Sequence, residues 1–196
     1  MTTVSLADAS SCCGLDLDVA GRRASGAAAG LTIGAAIALG VFFAAGEPWG
    51  TINDSLSIAL AWATVPIAVQ LTRREPPSRA LSLGAACDVV GVAVITVFTT
   101  LLISRRMTFE ESLMPIMSGQ SLIGTWLILV GLSAWPDRRS RRAAASALLG
   151  GAGLVATNAG LATGGMGSPV ALAGFVAGLI GTTAFYAQLA RRRSRP

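Results

Sequence analysis

The chain has no histidine and no lysine, and only 13% of its residues are charged. Without histidine, a bis-histidine haem site, the usual histidine-liganded zinc site and a Ser-His-Asp triad are excluded. A soluble domain normally carries about 25% charged residues, because a folded chain in water needs a polar surface. The shortage of charge, with 53% hydrophobic residues and a mean hydropathy of +0.64, therefore excludes an ordinary soluble domain.

Other chemical signatures are also missing. The cysteines are Cys12, Cys13 and Cys87, and their spacing offers neither a Cys-x-x-Cys redox motif nor a zinc site. The sequence contains no P-loop or similar Gly-rich phosphate motif. No second acid is expected beside the one acidic residue inside an apolar stretch, so two-metal chemistry is unsupported. The sequence predicts neither a metal nor a cofactor.

What the chain has instead is six long apolar stretches. Each is near or above the roughly 20 residues that cross a bilayer core as a helix. Backbone amides in lipid must bond within their own segment, so these stretches should be helical. The sequence predicts an all-α integral membrane bundle of six transmembrane helices, at residues 24–45, 51–71, 80–104, 113–135, 143–164 and 169–190. Residues 1–23 are predicted to be a disordered or surface-lying tail, and 191–196 a basic tail, around a membrane domain at 24–190.

The arginines predict an orientation. If the N-terminus is inside, 13 of the 15 arginines lie on the cytoplasmic side, and only Arg105 and Arg106 lie opposite. Because positive charges in short loops stay cytoplasmic, both termini should be cytoplasmic. Arg codons tolerate high GC content, so the absence of Lys suggests a bacterial protein of the inner cell membrane. The arginines should meet anionic membrane lipids, and no nucleic acid is expected as a partner.

Many of the 23 glycines recur at helical spacing. Small residues let membrane helices approach closely. The small residues that recur in this way are Gly26, Gly30 and Gly34 on the first helix, Gly153, Thr157, Gly160 and Gly164 on the fifth, and Gly174, Gly178 and Gly181 on the sixth. The pattern favours packing grooves within the bundle. A homo-oligomer or a partner membrane subunit is the alternative.

Asp88 is the one ionisable residue expected inside a membrane helix. An ionisable group at a helix centre costs about 2.5–3.5 kcal/mol on insertion scales, so such residues often serve function. By position, Asp88 should lie about 12 Å from the cytoplasmic end of its helix. It could bind a proton or cation, or it could be satisfied by Ser, Thr or backbone donors. Gln70 and Gln188 should lie near the same level and could join it in one polar pocket.

Four further residues are candidate binding residues. Gln120 and Asn158 should lie nearer the outer side, where interhelical hydrogen bonding is the commoner role of such amides. Trp62 and Trp126 fall within apolar spans. They could line a pocket for a small hydrophobic ligand, although ordinary packing is the simpler interpretation.

Two short stretches carry a family resemblance. The run from Glu47 to Asp54, EPWGTIND, and Thr108 to Glu111, TFEE, resemble phrases in uncharacterised small multipass membrane proteins of actinobacteria. The resemblance implies no activity. Asn53 and Asp54 are predicted to cap the second helix, since their side-chain oxygens can accept its unpaired amides.

Two functions from different classes remain. The first is a non-enzymatic membrane component, namely a small permease, a transporter subunit, or an accessory or immunity protein. The second is a membrane-embedded enzyme on a lipid or isoprenoid substrate, an acid-initiated cyclase for example. In that enzyme Asp88 would supply or receive a proton, and Trp and Phe side chains would stabilise cationic intermediates. The missing catalytic constellation favours the first.

Overall fold

The computed structural model describes residues 15–73 and 78–192, except for the side chain of Met166. This part of the chain is helical, with a short 3-10 turn at Gly165–Gly167. Each helix is long and apolar enough to cross a membrane, so the predicted all-α six-helix membrane bundle is confirmed. The helices are α1 (Val19–Ala45), α2 (Trp49–Thr72), α3 (Arg79–Ile103), α4 (Phe109–Ala134), α5 (Arg141–Gly164) and α6 (Pro169–Arg191). Predictions for residues 1–14, including Cys12 and Cys13, and for residues 74–77 and 193–196 lie outside the described residues.

The six helices form a ring. Each helix packs against its neighbours in chain order, and α6 closes the ring against α1. Neighbours run antiparallel: along α5 and α6, for instance, Gly150 faces Gly181 whereas Gly160 faces Ala171. One end of the ring therefore holds the starts of α1, α3 and α5 and the ends of α2, α4 and α6. This end, called the Arg-rich end below, carries all the described arginines except Arg105 and Arg106.

Glycines bring the backbones of α5 and α6 into contact. A Cβ atom added at Gly153 would fall on the backbone of Gly178, and one added at Gly181 would fall on Gly150. Similar contacts join α3 to α4, where a Cβ at Gly91 would lie 2.6 Å from the carbonyl oxygen of Gly119. The predicted packing grooves on the fifth and sixth helices are confirmed at Gly153, Gly160, Gly174 and Gly181, whereas Gly164 is exposed and meets only Ser168.

The glycines of α1 behave differently. Gly26 and Gly30 are exposed. Among the described residues, no atom of another element lies within 4 Å of a Cβ placed on Gly30, and Gly26 would meet only Ala190, at 3.8 Å. Gly34 would meet Leu56 at an ordinary 3.5 Å. The prediction of an intramolecular packing groove on α1 is therefore wrong at Gly30.

Aromatic side chains fill part of the ring interior. Trp126 of α4 meets Phe185 of α6 edge-on, with ring centroids 6.4 Å apart, although the backbones of these helices do not touch. Phe185 in turn lies 5.4 Å from the ring of Tyr186. All three side chains are buried, so the interior at this level is a packed core.

The first helix begins five residues before the predicted start at residue 24. The side chain of Asp18 accepts a hydrogen bond from the Gly21 N–H at 2.8 Å and caps the helix at Val19. Leu15 and Leu17, just before the cap, are buried in the main core. Residues 19–23, which the sequence assigned to the tail, thus belong to α1, and a good N-cap and two apolar anchors hold residues 15–18 on the bundle.

Two other helix starts also differ from the predictions. Helix α2 begins at Trp49, so Asn53 and Asp54 lie inside it and the prediction that they cap it is wrong. Instead, the Glu47 carboxylate accepts hydrogen bonds from the N–H and hydroxyl of Thr51. Helix α4 begins at Phe109, four residues early, because Thr108 and Glu111 form a reciprocal capping box.

Candidate functional site

Asp88 lies on the buried stripe of α3, about 14 Å from the helix start at ~1.5 Å per residue. Its side chain is 0% exposed. Gly84 and Gly91 flank it on the same face. Trp126 covers Gly84, and the α4 backbone at Gly119 covers Gly91. These close approaches seal Asp88 inside the ring.

Thr64 of α2 is the hydrogen-bond partner of Asp88. Its hydroxyl oxygen lies 2.8 Å from Oδ1 and 3.0 Å from Oδ2 of the carboxyl group. The same oxygen lies 2.8 Å from the carbonyl oxygen of Ala61 within its own helix. One hydroxyl therefore stands between a carboxyl group and a backbone acceptor, which links α2 to α3 in the bundle interior.

This arrangement suits two protonation states. If Asp88 is ionised, the single Thr64 proton can serve one carboxylate oxygen and Ala61 loses its side-chain donor. If Asp88 carries a proton, its O–H can donate to Thr64, which then donates to Ala61. In the second arrangement the carboxyl group, the hydroxyl and the Ala61 carbonyl are all joined by hydrogen bonds, whereas a buried polar group without a partner is costly.

The charge balance around Asp88 decides which protonation state suits the site. Among the described residues, Thr64 is the only hydrogen-bond partner of Asp88 and no arginine forms an ion pair with it. A buried carboxylate is stabilised only by pairing and good hydrogen bonding, and here it would have a single neutral donor. The site therefore favours a carboxyl group that holds a proton.

Tyr186 of α6 belongs to the same interior region. Its side chain is buried, and its ring packs against Phe185, which meets Trp126 above Gly84. Tyr186 is the only tyrosine of the chain, and sequence reasoning missed it together with Thr64. The single phenol in an apolar span is a signal that could have drawn attention to Tyr186. Thr64 gave none, since threonines are frequent throughout these helices.

The predicted polar pocket of Asp88, Gln70 and Gln188 is not formed. The Gln70 amide donates to Asp18 at 2.7 Å, at the Arg-rich end. The Gln188 amide donates to the Ser146 hydroxyl at 2.9 Å, between α6 and α5. All three residues lie in the Arg-rich half of the bundle, but the two amides point to different neighbours because their helices are rotated differently.

The other candidate binding residues also lie apart. Trp126 is fully buried in the aromatic core, whereas Trp62 is 56% exposed on the outer surface of α2, so they line no common pocket. Gln120 is half-buried on α4. Asn158 is half-buried on α5, and its side-chain oxygen has no hydrogen-bond partner in the described part of the chain.

An apolar groove of about 520 Å³ lies on the outside of the ring between α1 and α6. Ile33 and Ile37 line one wall, and Ile180 and Thr183 line the other. None of its lining residues belongs to the Asp88 site. Within the described residues, no three His, Cys, Asp or Glu side chains gather in a way that could hold a metal ion.

We found no family model, no curated protein and no solved structure that matches this chain. The resemblance of Glu47 to Asp54 and of Thr108 to Glu111 to actinobacterial membrane proteins stays a prediction. The functional argument therefore depends on the geometry of the bundle alone.

Proposed function

We propose that this chain is a small permease, or the membrane subunit of a transporter, in which Asp88 binds and releases a proton. The observation that carries this proposal is a fully buried carboxyl group bonded to one hydroxyl of a neighbouring helix. Ionisable residues in the interior of membrane helices mark proton relays and ion pathways.

A proton suits this site better than a metal cation. Calcium takes about 6–8 oxygen ligands, and magnesium needs six in near-octahedral geometry. The Asp88 site offers two carboxylate oxygens and the Thr64 hydroxyl, with the Ala61 carbonyl already bonded. A proton needs only one acceptor and one hydrogen-bond partner, both of which are present.

The enzyme alternative has less support. An acid that initiates a cyclisation must touch its substrate, whereas Asp88 has no exposed surface. The aromatic residues expected to stabilise cations are divided between the core and the outer surface. A transporter can expose a buried acid by a change of conformation, and such gating motions are ordinary for membrane carriers.

The proposal includes an orientation in the inner cell membrane. The Arg-rich end is placed in the cytoplasm because positive residues in short loops stay there. Its arginines would then face the anionic lipids of that leaflet. Reporter fusions after residue 196 and within the Gly165–Gly167 turn test this. The first should be active in the cytoplasm only and the second outside only, and the reverse result would overturn the orientation.

The proton site is tested in proteoliposomes that contain a trapped pH indicator and an imposed membrane potential. We expect the full-length protein to admit protons faster than protein-free vesicles do, and Asp88→Asn to lower the flux to that background. Asp54→Asn is the matched control, because Asp54 is also an aspartate on a helix of the ring but lies half-buried near the start of α2, at the opposite end of the ring. Thr64→Ser should keep the flux, because it keeps the hydroxyl.

Infrared absorption gives a second readout. The carbonyl band of a buried protonated carboxyl group should disappear in Asp88→Asn and shift in Thr64→Val. A folded Asp88→Asn protein with wild-type proton flux would overturn the proposal. So would the absence of any protonated-carboxyl band that depends on Asp88.

A further inference from the structure

Residues 15–18 cross the Arg-rich end of the ring. The Leu15 N–H donates to the Ser140 hydroxyl, between α4 and α5, while Asp18 bonds Gln70 on α2. These partners lie on different sides of the ring. The backbone from Leu15 to Asp18 can span at most about 11 Å, so this short segment reaches from one partner to the other. We call residues 15–18 the strap.

The Ser140 hydroxyl is the anchor at one end. It is fully buried, accepts hydrogen bonds from Leu15 N at 3.3 Å and Arg192 Nη1 at 2.9 Å, and donates to Asp137 at 2.6 Å. Burial opposes ionisation of Asp137, but hydrogen bonds from Ser140 and Arg139 and the nearby charge of Arg192 lower its pKa overall. One oxygen atom thus joins the strap, the α4–α5 loop and the end of α6.

Gln70 is the anchor at the other end. Its amide donates to Asp18 Oδ1 at 2.7 Å, and its side-chain oxygen accepts from the Asp18 N–H at 3.3 Å. The backbone N–H of Gly21 lowers the pKa of Asp18, so the carboxylate is available as an acceptor at neutral pH. Each of the two residues therefore donates one hydrogen bond to the other and accepts one. Residues 15–18 themselves lie outside any helix.

Two leucines of the strap enter the core. Leu15 and Leu17 are 3% and 5% exposed, in the same buried cluster as Leu71, Leu81 and Leu189. Those three residues lie near the ends of α2, α3 and α6 at the Arg-rich end. Asp88 lies about 14 Å along α3 from this end, so by position these leucines lie on its Arg-rich side.

We propose that the strap is a gate, and that its release opens the path between Asp88 and the Arg-rich end. This inference rests on the proposed function, since it assigns the route by which the Asp88 proton leaves. Residues 15–17 of the strap can move without unwinding a helix, because they precede Asp18, which caps α1. The bonds of the strap to Ser140 and Gln70, and the bond that Arg22 donates to the Leu17 carbonyl, are hydrogen bonds that can break and re-form.

Cysteine accessibility tests the gate without any transport assay. In a full chain carrying Cys12→Ser, Cys13→Ser and Cys87→Ser, Ala68→Cys places a thiol one turn from Thr64 toward the Arg-rich end, at a fully buried position. Gln70→Leu removes both hydrogen bonds to Asp18. We expect labelling by a water-soluble maleimide to rise about tenfold, as when one or two net hydrogen bonds are lost.

Matched variants keep the result interpretable. Asp18→Asn retains the side-chain oxygen to which Gln70 and Gly21 donate hydrogen bonds. It should therefore leave the labelling rate close to that of the parent. Ser140→Ala, at the other anchor, should raise the rate as Gln70→Leu does, which protects the test if one variant folds poorly. Unchanged labelling in both Gln70→Leu and Ser140→Ala would overturn the gate.

A reversible lock tests the same inference in proteoliposomes. A short bifunctional thiosulfonate would join Asp18→Cys to Gln70→Cys in the cysteine-free chain and hold the strap closed. We expect proton flux to fall to background and to return on reduction, whereas full flux in the joined protein would overturn the gate. If labelling responds to the strap but Asp88→Asn keeps full flux, the proton proposal fails and the gate stands.

Discussion

In α5, Gly150, Gly153 and Gly160 lie against the backbone of α6, whereas in α1 Gly26 and Gly30 lie on the outer surface of the ring. Both helices carry small residues that recur at helical spacing. The difference teaches that such a pattern identifies a surface able to accept a close neighbour, and that the rotation of the helix decides whether the bundle itself provides one. The four predictions below test this contrast.

Gly153→Leu should have the largest effect. Even a Cβ atom at this position would fall on the backbone of Gly178, so a leucine must force α5 and α6 apart. We expect the free energy of unfolding to fall by more than about 1–3 kcal/mol, which is typical of overpacking. Size-exclusion chromatography in detergent should then show little folded protein. Gly30→Leu adds the same volume to α1 and should purify like the parent. Equal loss in both variants would contradict the contrast.

A tryptophan pair extends the comparison to large side chains. Trp126→Ala empties a fully buried site beside Phe185 and should destabilise the protein by about 3–5 kcal/mol. Trp62→Ala removes an exposed side chain and should cost far less. Thermal unfolding in detergent, followed by near-UV circular dichroism, gives the two midpoints. If Trp62→Ala lowered the unfolding midpoint more than Trp126→Ala does, the outer face of α2 around Trp62 would have to be covered by protein.

Gly181→Ala tests the contact between α5 and α6 with the smallest possible side chain. The new methyl group would meet the backbone of Gly150, so we expect a loss of about 1–3 kcal/mol. Measurement of the unfolding midpoint in a mild detergent suffices. A midpoint equal to that of the parent would mean that α5 and α6 separate easily, and the close contact would then contribute little to stability.

Gly30→Ala should have the smallest effect, with the opposite sign. The position is open, and alanine is favoured over glycine in a helix interior by about 1 kcal/mol at most. The unfolding midpoint should stay level or rise slightly. A fall would indicate that another protein surface, such as a second copy of the chain, lies on Gly30, and the apparent mass by light scattering would then decrease in the variant.

The number and length of the helices could be predicted from sequence because the bilayer dictates both. The helix starts were harder to predict. The polar residues around Arg22 favour a tail by their composition, whereas in the structure Asp18 caps the helix before them and Arg22 donates to the Leu17 carbonyl. Caps are local hydrogen bonds, and several residues near each start could have supplied one.

The site was predicted only in part. Asp88 could be found because it is a rare charge in an apolar stretch. Its partner Thr64 could not, since the register of α2 against α3 is set by packing that sequence spacing does not encode. The level of Gln70 and Gln188 follows from counting along a helix, but their direction depends on helix rotation. That is why they bond Asp18 and Ser146 instead of Asp88.

The pairing of Asp88 with Thr64 has a consequence for biogenesis. The two residues are 24 positions apart, on consecutive helices joined by a short connection. The acid can therefore enter the bilayer together with its hydroxyl partner as a two-helix hairpin, before α4, α5 and α6 have left the ribosome. The Asp88 carboxyl group would then have its hydrogen-bond partner when it enters lipid, which lowers the cost of inserting it.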